Sequence, residues 1–460
     1  PAPDMTELGA AGERQVSQAT HDEWAYDTGR ALPRSCDVLI VGGGIVGVSA
    51  AYHLARKGLS VVLCEKGRIA GEQSGRNWGW VRQQGRDARE LPLMIHSMQI
   101  WRGLAAELGE DLGFTQGGCL YLAESPAELA HFEAWLATAA HHQLGSRLLS
   151  AAQVGSVLDA PQARWLGALH TPSDGRAEPN RVAPALARGA ASAGAHIFTQ
   201  CAVRGIERSA GRVHGVVTEH GVIRTEALVC AAGAWTNLLC GSFGVDVPQL
   251  TVKGTVARLS PTRKILEGEA YSNRVAIRRR ADGGYTVAHG SLLVHSLVPA
   301  SLRYARKFWP SLIQERSTVR LRVGKDFLTA LRQPRRWDLA KPSPFERERI
   351  LNPAPDATVL DLIRTGLRFS FPEISDAPIA EAWAGMIESS PDVLPILSGV
   401  DEVPGLFVAT GFSGHGFGIG PGAGAVVAEL VRGATPAVAL DALRLRRFFD
   451  GSVILPGPSI

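Results

Sequence analysis

The stretch GFSGHGFGIGPGAG, residues 411–424, combines seven glycines with one histidine, His415. Glycine has no Cβ, so such a run lets a backbone pass very close to another molecule. We interpret these glycines as serving close approach to a ligand rather than a packed core. The apolar residues that follow predict a glycine turn that enters a helix. This segment is therefore the first candidate for a functional site.

A second glycine pattern lies in CDVLIVGGGIVGVSAAYHLARKGLSVVLCEK, which begins at residue 36. Gly42, Gly44 and Gly47 fill a G-x-G-x-x-G motif, in which the glycines provide a tight turn, access for a pyrophosphate and close helix packing. Glu65 follows at the distance from which an acid binds ribose hydroxyls. This order predicts dinucleotide binding, with FAD or NAD favoured over NADP. A glycine-rich turn in another α/β fold is the alternative.

The elements that must position these residues alternate along the chain. The pattern predicts a strand at 38–41, a helix at 48–56 and a second strand at 60–64. Farther on, it predicts a helix at 179–193 and a strand at 195–199. These are the parts of an α/β fold, and the glycine motif needs such a strand and helix on either side.

The segment GRIAGEQSGRNWGWVRQQGRD favours FAD over NAD. A nicotinamide enzyme usually continues into another strand–helix unit at this point, whereas this loop offers Ser74, Arg76 and Asn77 as donors to a longer cofactor. A polar surface loop is the alternative. The sequence VCAAGAW, with Ala232 and Gly233, permits a further close backbone approach.

Composition excludes several classes of function. The net charge of +4 is too small to argue for nucleic acid, and the charged content of 20% is ordinary for a globular protein. The six cysteines form no CxxC pair, which predicts free thiols, no metal site and a cytoplasmic location. No run approaches the roughly 18 apolar residues of a membrane span. We interpret residues 1–34 as an N-terminal arm and the basic stretch 303–325 as a solvated helix face.

Together these motifs resemble the FAD-dependent amine and amino acid oxidoreductases of the D-amino acid oxidase superfamily. The chain is similar to the branch that contains glycine oxidase, sarcosine oxidase and gamma-glutamylputrescine oxidase. The matching pieces are DVLIVGGGIVGVSAAYHLARKG, SGRNWGW, VCAAGAWTNLL, WAGMIESSPDVLPIL and GLFVATGFSGHGFGIGPGAGAVVAEL. They cover most of the chain from residue 37 to residue 430, and ATGFSGHGF is the most specific of them.

The resemblance implies an α/β (α+β) fold in which a Rossmann-like FAD domain is interleaved with a substrate domain built on a large mixed β-sheet. It implies non-covalent FAD, because the expected linking histidine is replaced by Asn77-Trp78. The expected domain ranges are 35–100, 150–240 and 378–450 for FAD, and 101–149 and 241–377 for substrate. The expected FAD contacts are Gly42, Gly44, Ile45, Val46, Gly47, Glu65, Lys66, Ser74, Arg76, Asn77, Val203, Ala232, Gly233, Gly414, His415, Gly416, Phe417 and Gly418.

The chemistry implied by the resemblance is oxidation of a carbon–nitrogen bond by hydride transfer to flavin N5, which gives an imine that hydrolyses. His415, Arg82 and Tyr271 are the expected catalytic residues, and His415 is expected at the edge of the flavin ring. Arg82 is the expected contact for a substrate carboxylate, although a structural ion pair is the alternative. Tyr271, Arg274 and Glu388 are the other expected substrate contacts.

Three departures from the family pattern bear on the substrate. Gly418 replaces a lysine of the sarcosine oxidases, and Ile387 is nearest to the place of an arginine in glycine oxidase. A larger amine is therefore expected, rather than a small amino acid held by two cations. The lysine that activates oxygen in sarcosine oxidases aligns with Thr286, while Lys253 is another cation nearby. Oxidase and dehydrogenase activity, with O2 or another electron acceptor, thus both stay open.

Three hypotheses for the function follow. The first is an amine or N-substituted amino acid oxidoreductase, and the second is an α-hydroxy acid dehydrogenase with His415 as the base near N5. The third is a flavoprotein subunit that needs a partner protein, with the basic stretch 303–325 as its docking surface. A homo-oligomer is a further expectation, and no nucleic acid partner is expected.

Overall fold

The computed structural model describes residues 31–160 and 165–457, so residues 1–30 of the predicted arm lie outside the described residues. Its strands are β1 Val38–Val41, β2 Val61–Cys64, β3 Trp80–Val81, β4 Cys119–Ala123, β5 Arg147–Ser150, β6 Gly167–Thr171, β7 Gly175–Arg176, β8 His196–Phe198, β9 Val203–Ser209, β10 Arg212–Thr218, β11 Gly221–Arg224, β12 Ala227–Cys230, β13 Leu250–Leu259, β14 Glu269–Tyr271, β15 Ala276–Arg279, β16 Tyr285–Ala288, β17 Leu293–Ser296, β18 Val319–Arg322, β19 Ile379–Ser389, β20 Ile396–Gly399 and β21 Leu406–Thr410.

The described helices lie between and around these strands. They are α1 Ile45–Arg56, α2 Gln73–Arg76, α3 Leu91–Leu108, α4 Pro126–His141, α5 Ala151–Val154, α6 Pro179–Ser192, α7 Thr236–Ser242, α8 Pro299–Arg303, α9 Ala305–Gln314, α10 Lys325–Arg332, α11 Pro344–Arg347, α12 Ala357–Ser370 and α13 Gly416–Val431. Short 3₁₀ turns span Gly233–Trp235, Pro372–Ile374 and Leu445–Phe448.

A six-stranded sheet in the order β20-β21-β12-β1-β2-β8 forms the centre of one half of the molecule. All of its neighbouring pairs are parallel except β20 and β21. The carboxyl ends of β1, β2, β12 and β21 therefore lie at one edge, which is where ligands bind in such sheets. The predicted α/β fold is confirmed, and the first predicted strand matches β1 residue for residue.

Helices α1 and α13 pack against the central sheet and against each other, and α3 packs against α13. The contacts are close because glycines remove side chains from α13. A Cβ on Gly420 would lie 2.7 Å from the Ile45 side chain, and one on Gly424 would lie 2.3 Å from the Ser49 side chain. Our interpretation that the glycines of 411–424 do not serve a packed core is therefore wrong for this part of the run. Helix packing, rather than a ligand, requires them there.

A ten-stranded mixed sheet forms the second half, in the order β18-β17-β13-β16-β15-β14-β4-β6-β5, with β19 also paired to β13. This sheet confirms the predicted large mixed sheet. It takes β6 and β19 from ranges that we assigned to the FAD domain, because β6 pairs with β4 and β19 pairs with β13 along its whole length. The exact domain boundaries stay a prediction.

The segment 299–332 holds seven of the thirteen large apolar side chains that are exposed in the described part of the chain. Leu302, Trp309, Val323 and Leu331 each expose more than half of their surface, and eight basic side chains lie among them against two acidic ones. The stretch is therefore not simply the charged solvated face that we expected. None of the described helices is long and apolar enough to cross a membrane.

Candidate active site

The glycine motif forms a tight turn between β1 and α1. Gly42 has φ of +108°, and a Cβ there would lie 2.4 Å from the Ala231 carbonyl oxygen. A Cβ on Gly47 would lie 2.0 Å from the Gly42 carbonyl oxygen. Both positions thus exclude a side chain because backbone lies directly against them. As a result the N-terminus of α1 faces the edge at which the parallel strands end.

Two side chains hold this turn in place. Glu65, at the end of β2, accepts hydrogen bonds from the Gly43 N–H at 2.7 Å and the Gly67 N–H at 2.6 Å. Burial raises the pKa of Glu65 above its usual value. The Ser74 hydroxyl accepts the Ile45 N–H at 2.9 Å. The described turn is therefore fixed by polar contacts to the two segments that the sequence singled out.

A cavity, called here the glycine-loop cavity, opens at this edge of the sheet. It is lined by most of the predicted cofactor contacts, and the shared set is Gly42, Gly44, Ile45, Val46, Glu65, Lys66, Ser74, Asn77, Val203, Ala232, Gly233, Gly414, Gly416 and Phe417. The N-terminus of α13 enters the cavity through Gly416 and Phe417. The free N–H groups of that first turn favour negative charge on a ligand there.

A second cavity of about 500 Å³, called here the apolar cavity, lies between α9 and the ten-stranded sheet. Most of its wall is apolar, with Trp78, Trp80, Tyr121, Leu250, Val252, Leu292, Leu302, Phe308 and Trp309 among its residues. It shares Gln73, Asn77, Gly414 and Phe417 with the glycine-loop cavity. A ligand in the apolar cavity can therefore lie directly against one in the glycine-loop cavity.

Two buried arginines line the apolar cavity. Arg82 lies 5.5 Å from the centre of the Tyr121 ring and donates to the Gln84 carbonyl. Arg86 donates through Nε to the Arg82 carbonyl at 3.2 Å, and burial lowers its pKa to about 10. Both remain cations at neutral pH, so this wall carries positive charge in a largely apolar space. The arrangement suits a ligand that has a carboxylate and a large apolar group.

The other predicted substrate contacts fall in three places. Tyr271 lines the apolar cavity as expected. Arg274 instead pairs with Glu124 at 3.1 Å and stacks over Phe369, because the turn after β14 directs it outward, so the geometry does not support it as a substrate contact. Glu388 lines the glycine-loop cavity, and burial raises its pKa to about 7.

The remaining predicted cofactor contacts have other partners. Arg76 donates to the Asn352 side chain at 2.8 Å and to the Ala384 carbonyl at 2.9 Å, and it lines the apolar cavity. The Gly418 carbonyl accepts the Trp101 indole N–H at 2.8 Å, which anchors α13 to α3. His415 also lines the apolar cavity. Gly47 lies against the Gly42 carbonyl oxygen and does not line the glycine-loop cavity. These four contacts to a cofactor stay predictions.

Sequence reasoning missed Glu90, which precedes α3 and is fully buried. Its carboxylate lies 3.1 Å from His415 Nδ1 and 3.4 Å from Arg86. The only sequence signal was an acid four residues after an arginine at the start of an apolar helix. His289 and His295 were also missed as cavity residues. His415 is thus not the single histidine at this site.

A family model described as FAD dependent oxidoreductase (DAO) matches residues 37–430. The chain belongs to this family. The predicted cofactor FAD and the predicted enzyme class are thereby confirmed, while non-covalent attachment stays a prediction. The structure fits the group, because Cβ-free backbone at Gly42 and Gly44 and the α1 N-terminus form the cradle that a pyrophosphate needs. The residues that line the glycine-loop cavity would therefore hold FAD.

Three similar proteins show the range of this DAO family. Human mitochondrial sarcosine dehydrogenase is 26% identical over 92% of this chain, which spans 42% of that protein's length. Sarcosine oxidase subunit beta of Rhodobacter capsulatus is 25% identical over 94% of both chains. The solved structure of L-amino acid deaminase from Proteus myxofaciens, in complex with anthranilate, is 33% identical with a TM-score of 0.89 and covers 92% of this chain and 96% of its own.

The departures noted in the sequence have local explanations in this DAO family member. Thr286, at the place where we expected the counterpart of an oxygen-activating lysine, is buried and accepts a hydrogen bond from Arg278 Nη2 at 3.0 Å. Lys253 donates to the Ala354 carbonyl at 3.3 Å and lies 3.9 Å from Asp356. Ile387 lines the apolar cavity and adds to its apolar character. The described cations that line the apolar cavity are therefore Arg76, which donates to Asn352 and Ala384, and the buried pair Arg82 and Arg86.

Proposed function

We propose that this chain oxidises the carbon–nitrogen bond of an amine or amino acid that carries a large apolar group. The observation that carries the proposal is the apolar cavity of about 500 Å³, which has Arg82 in its wall and meets the glycine-loop cavity at Gly414 and Phe417. Apolar walls favour an apolar side chain, and a guanidinium favours a carboxylate. The names of the similar proteins, which include an L-amino acid deaminase, support the same class of substrate.

The protein's own contribution is to bind and orient the substrate. Arg82 would hold the carboxylate, while Trp80, Tyr121 and Tyr271 would exclude water around the apolar group. The N-terminus of α13 would stabilise negative charge beside the cofactor. When bound, FAD supplies the two-electron acceptor for a hydride from the carbon next to nitrogen. The substrate nitrogen loses a proton, and water hydrolyses the resulting imine.

The test is reduction of the bound flavin without oxygen, with matched pairs of substrates. Each apolar amino acid is paired with its N-methyl form, with its α-hydroxy acid and with the amine that lacks the carboxylate. We expect the amines and amino acids to bleach the flavin absorbance. Bleaching by hydroxy acids alone would refute the proposal and favour the hydroxy acid dehydrogenase. Repeating the successful reaction with oxygen separates an oxidase from a dehydrogenase that uses another acceptor.

Arg82 can be tested against Arg274, which lies outside the cavity. In Arg82→Lys, we expect the KM for an amino acid to rise about tenfold, since a bidentate contact is lost, with little change for the amine lacking a carboxylate. Arg274→Lys should leave the KM for the amino acid and the KM for the amine unchanged. Equal effects on the amino acid and the amine would contradict carboxylate binding by Arg82.

A flavoprotein subunit that requires a partner protein is the second candidate. The exposed apolar side chains of the segment 299–332 support it, because surfaces of this kind mark interaction sites. The similar sarcosine oxidase subunit beta carries the word subunit in its name. Flavin reduction by any substrate in the purified single chain would contradict this candidate. Light scattering on the same sample tests the expected homo-oligomer.

The proposed location is the cytoplasm. All six cysteines are free thiols, and five of them are buried. Free buried thiols are typical of a reducing compartment. Fractionation of cells that produce the protein tests this proposal, and recovery outside the cytoplasm would contradict it.

A further inference from the structure

A buried carboxylate lies behind the histidine of the specific family motif. Glu90 is fully buried at the start of α3, and its two oxygens lie 3.2 and 3.1 Å from His415 Nδ1. The two residues are 325 positions apart in the chain. A fully buried carboxylate is rare unless its charge is compensated. Its partners here are His415 and Arg86.

The contact fixes the tautomer of the imidazole. An ionised carboxylate only accepts hydrogen bonds, so a neutral His415 must carry its proton on Nδ1 to donate to Glu90. The opposite ring nitrogen, Nε2, then has a free lone pair. The His415 side chain is 19% exposed and lines the apolar cavity beside Arg82 and Arg86. The ring therefore offers an acceptor at the boundary between the two cavities.

The surrounding charges keep this ring neutral. Burial and the nearby Arg86 lower the pKa of His415 to about 4, with Arg82 acting in the same direction and Glu90 opposing them. Burial alone would raise the pKa of Glu90, but the positive charge of Arg86 and the hydrogen bond from His415 oppose burial, and the pKa of the carboxyl lies below its usual value. At neutral pH the pair thus consists of a carboxylate and a neutral imidazole, which suits the acceptor role of Nε2.

Other acceptors also line the apolar cavity, among them the side chains of Gln73, Tyr271 and Glu315, so the choice of His415 depends on comparing the histidines and on its place beside Gly414, which both cavities share. Arg82 and Arg86 only donate hydrogen bonds. His295 also lines the cavity, but its ring nitrogens already contact the Thr251 carbonyl at 2.7 Å and the Ser301 hydroxyl at 2.9 Å. His289 accepts the Ser291 N–H through Nδ1 at 3.2 Å, so its neutral ring carries the proton on Nε2 and offers a donor there. His415 is therefore the histidine, among the described residues of this cavity, whose arrangement best suits an amine nitrogen lying next to the cofactor.

We propose that Glu90 is a positioning residue that holds His415 in the Nδ1–H tautomer, so that His415 Nε2 accepts a hydrogen bond from the substrate nitrogen. The inference rests on the proposed function, since it requires a substrate with an N–H group. No covalent bond forms or breaks in this contact. The contact orients the substrate nitrogen and the neighbouring C–H bond toward the flavin. A substrate that is bound only through its carboxylate would lack this orientation.

The tautomer can be measured without any turnover. The FAD-loaded protein is labelled with ¹⁵N-histidine and its imidazole nitrogens are observed by NMR. The signals of His415 are identified by their loss in His415→Phe. They should report a protonated Nδ1 and an unprotonated Nε2. In Glu90→Gln the fixed pattern should be lost or mixed. Glu178→Gln is the control, because it removes a buried carboxylate that pairs with Arg278 rather than with His415. A wild-type His415 protonated on Nε2 would overturn the inference.

The role toward substrate is tested by a double-mutant cycle. Glu90→Gln and His415→Phe should each lower kcat/KM for the best amine substrate by about tenfold, as expected for one lost hydrogen bond. The double variant should lose no more than His415→Phe alone, because Glu90 acts through His415. Fully additive losses would show a merely structural Glu90 and would overturn the proposal.

The two failures can be told apart. If no amine reduces the wild-type flavin, the proposed function is refuted, and the substrate part of this inference falls with it. If amines do reduce the flavin but the cycle is additive or the tautomer is wrong, only the inference about Glu90 is refuted.

Discussion

Adding one methyl group at Gly47 tests the geometry of the cofactor cradle. In Gly47→Ala, the new Cβ would lie 2.0 Å from the Gly42 carbonyl oxygen and 3.5 Å from the Ile40 side chain. Ordinary contact begins at 3.4 Å, so the methyl overlaps backbone and α1 must move away from the turn. Overpacking of this kind costs about 1–3 kcal/mol, while alanine returns up to about 1 kcal/mol of helix preference.

The same movement disturbs the loop that faces the cofactor. We expect the dissociation constant for FAD to rise about tenfold, which corresponds to about 1.4 kcal/mol. Fluorescence recovery on mixing the apoprotein with FAD measures this constant, and the urea midpoint of the apoprotein measures stability. In Gly47→Ala the dissociation constant for FAD should rise and the urea midpoint of the apoprotein should fall.

Gly103→Ala is the matched control. Gly103 also lies within a helix, α3, but a Cβ there meets nothing within 4 Å. This exchange should stabilise the protein by about 0.5–1 kcal/mol and leave FAD binding unchanged. The reasoning would be refuted if Gly47→Ala bound FAD as tightly as the wild type, or if Gly103→Ala were equally damaging.

Three further changes test other parts of the site and its support. Arg447→Ala should lower the free energy of unfolding in urea by about 3–5 kcal/mol, because it leaves the buried Asp392 carboxylate without its bidentate partner. The control is Arg446→Ala, which breaks an exposed pair with Asp401 and should cost less than about 1 kcal/mol. Ser74→Ala should weaken FAD binding about fivefold through loss of the 2.9 Å contact to the α1 N-terminus. Since burial raises the pKa of Glu388 from 4.5 to about 7, the folded apoprotein holds a proton there, and its stability should fall by about 3 kcal/mol as pH rises from about 4.5 to 7. Glu388→Gln should flatten this dependence, and an unchanged slope would contradict it.

The part of the fold that the sequence predicted best is the unit around the glycine motif. The strand β1, the helix α1 and Glu65 follow each other within about 30 residues, so their periodicity and turn residues are local signals. The helix α6 was also predicted to within one residue of its end. Local patterns suffice where an element and its partner lie close together in the chain.

The contacts that close the glycine-loop cavity were not predictable in this way. Lys66 donates to the Arg349 carbonyl at 2.7 Å, and Ile350 lines the cavity, although Arg349 follows Lys66 by 283 positions in the chain. The pairing of Glu90 with His415 spans a similar separation. Such contacts depend on how the halves of the molecule pack, and a single sequence carries no periodic signal for them.

The prediction for Arg274 failed for a different reason, which is the direction of its side chain. Its place near Tyr271 suggested a shared cavity, but neighbours in a strand or turn point in different directions. Tyr271 lies in β14 and faces the cavity, whereas Arg274 lies beyond the strand and pairs with Glu124. Closeness in the sequence thus placed Arg274 near the cavity wall that contains Tyr271, but the turn after β14 determined the direction of its side chain.

The glycines of residues 411–424 serve two purposes that are physically linked. Gly414 and Gly416 line the glycine-loop cavity, whereas Gly420 and Gly424 let α13 approach α1. A helix N-terminus affects charge only within about one turn, so the position of α13 along its axis matters. The close packing of its later glycines fixes that position. Removing the space at Gly424 should therefore disturb the cofactor end of the helix, although that glycine lies more than two turns away from it.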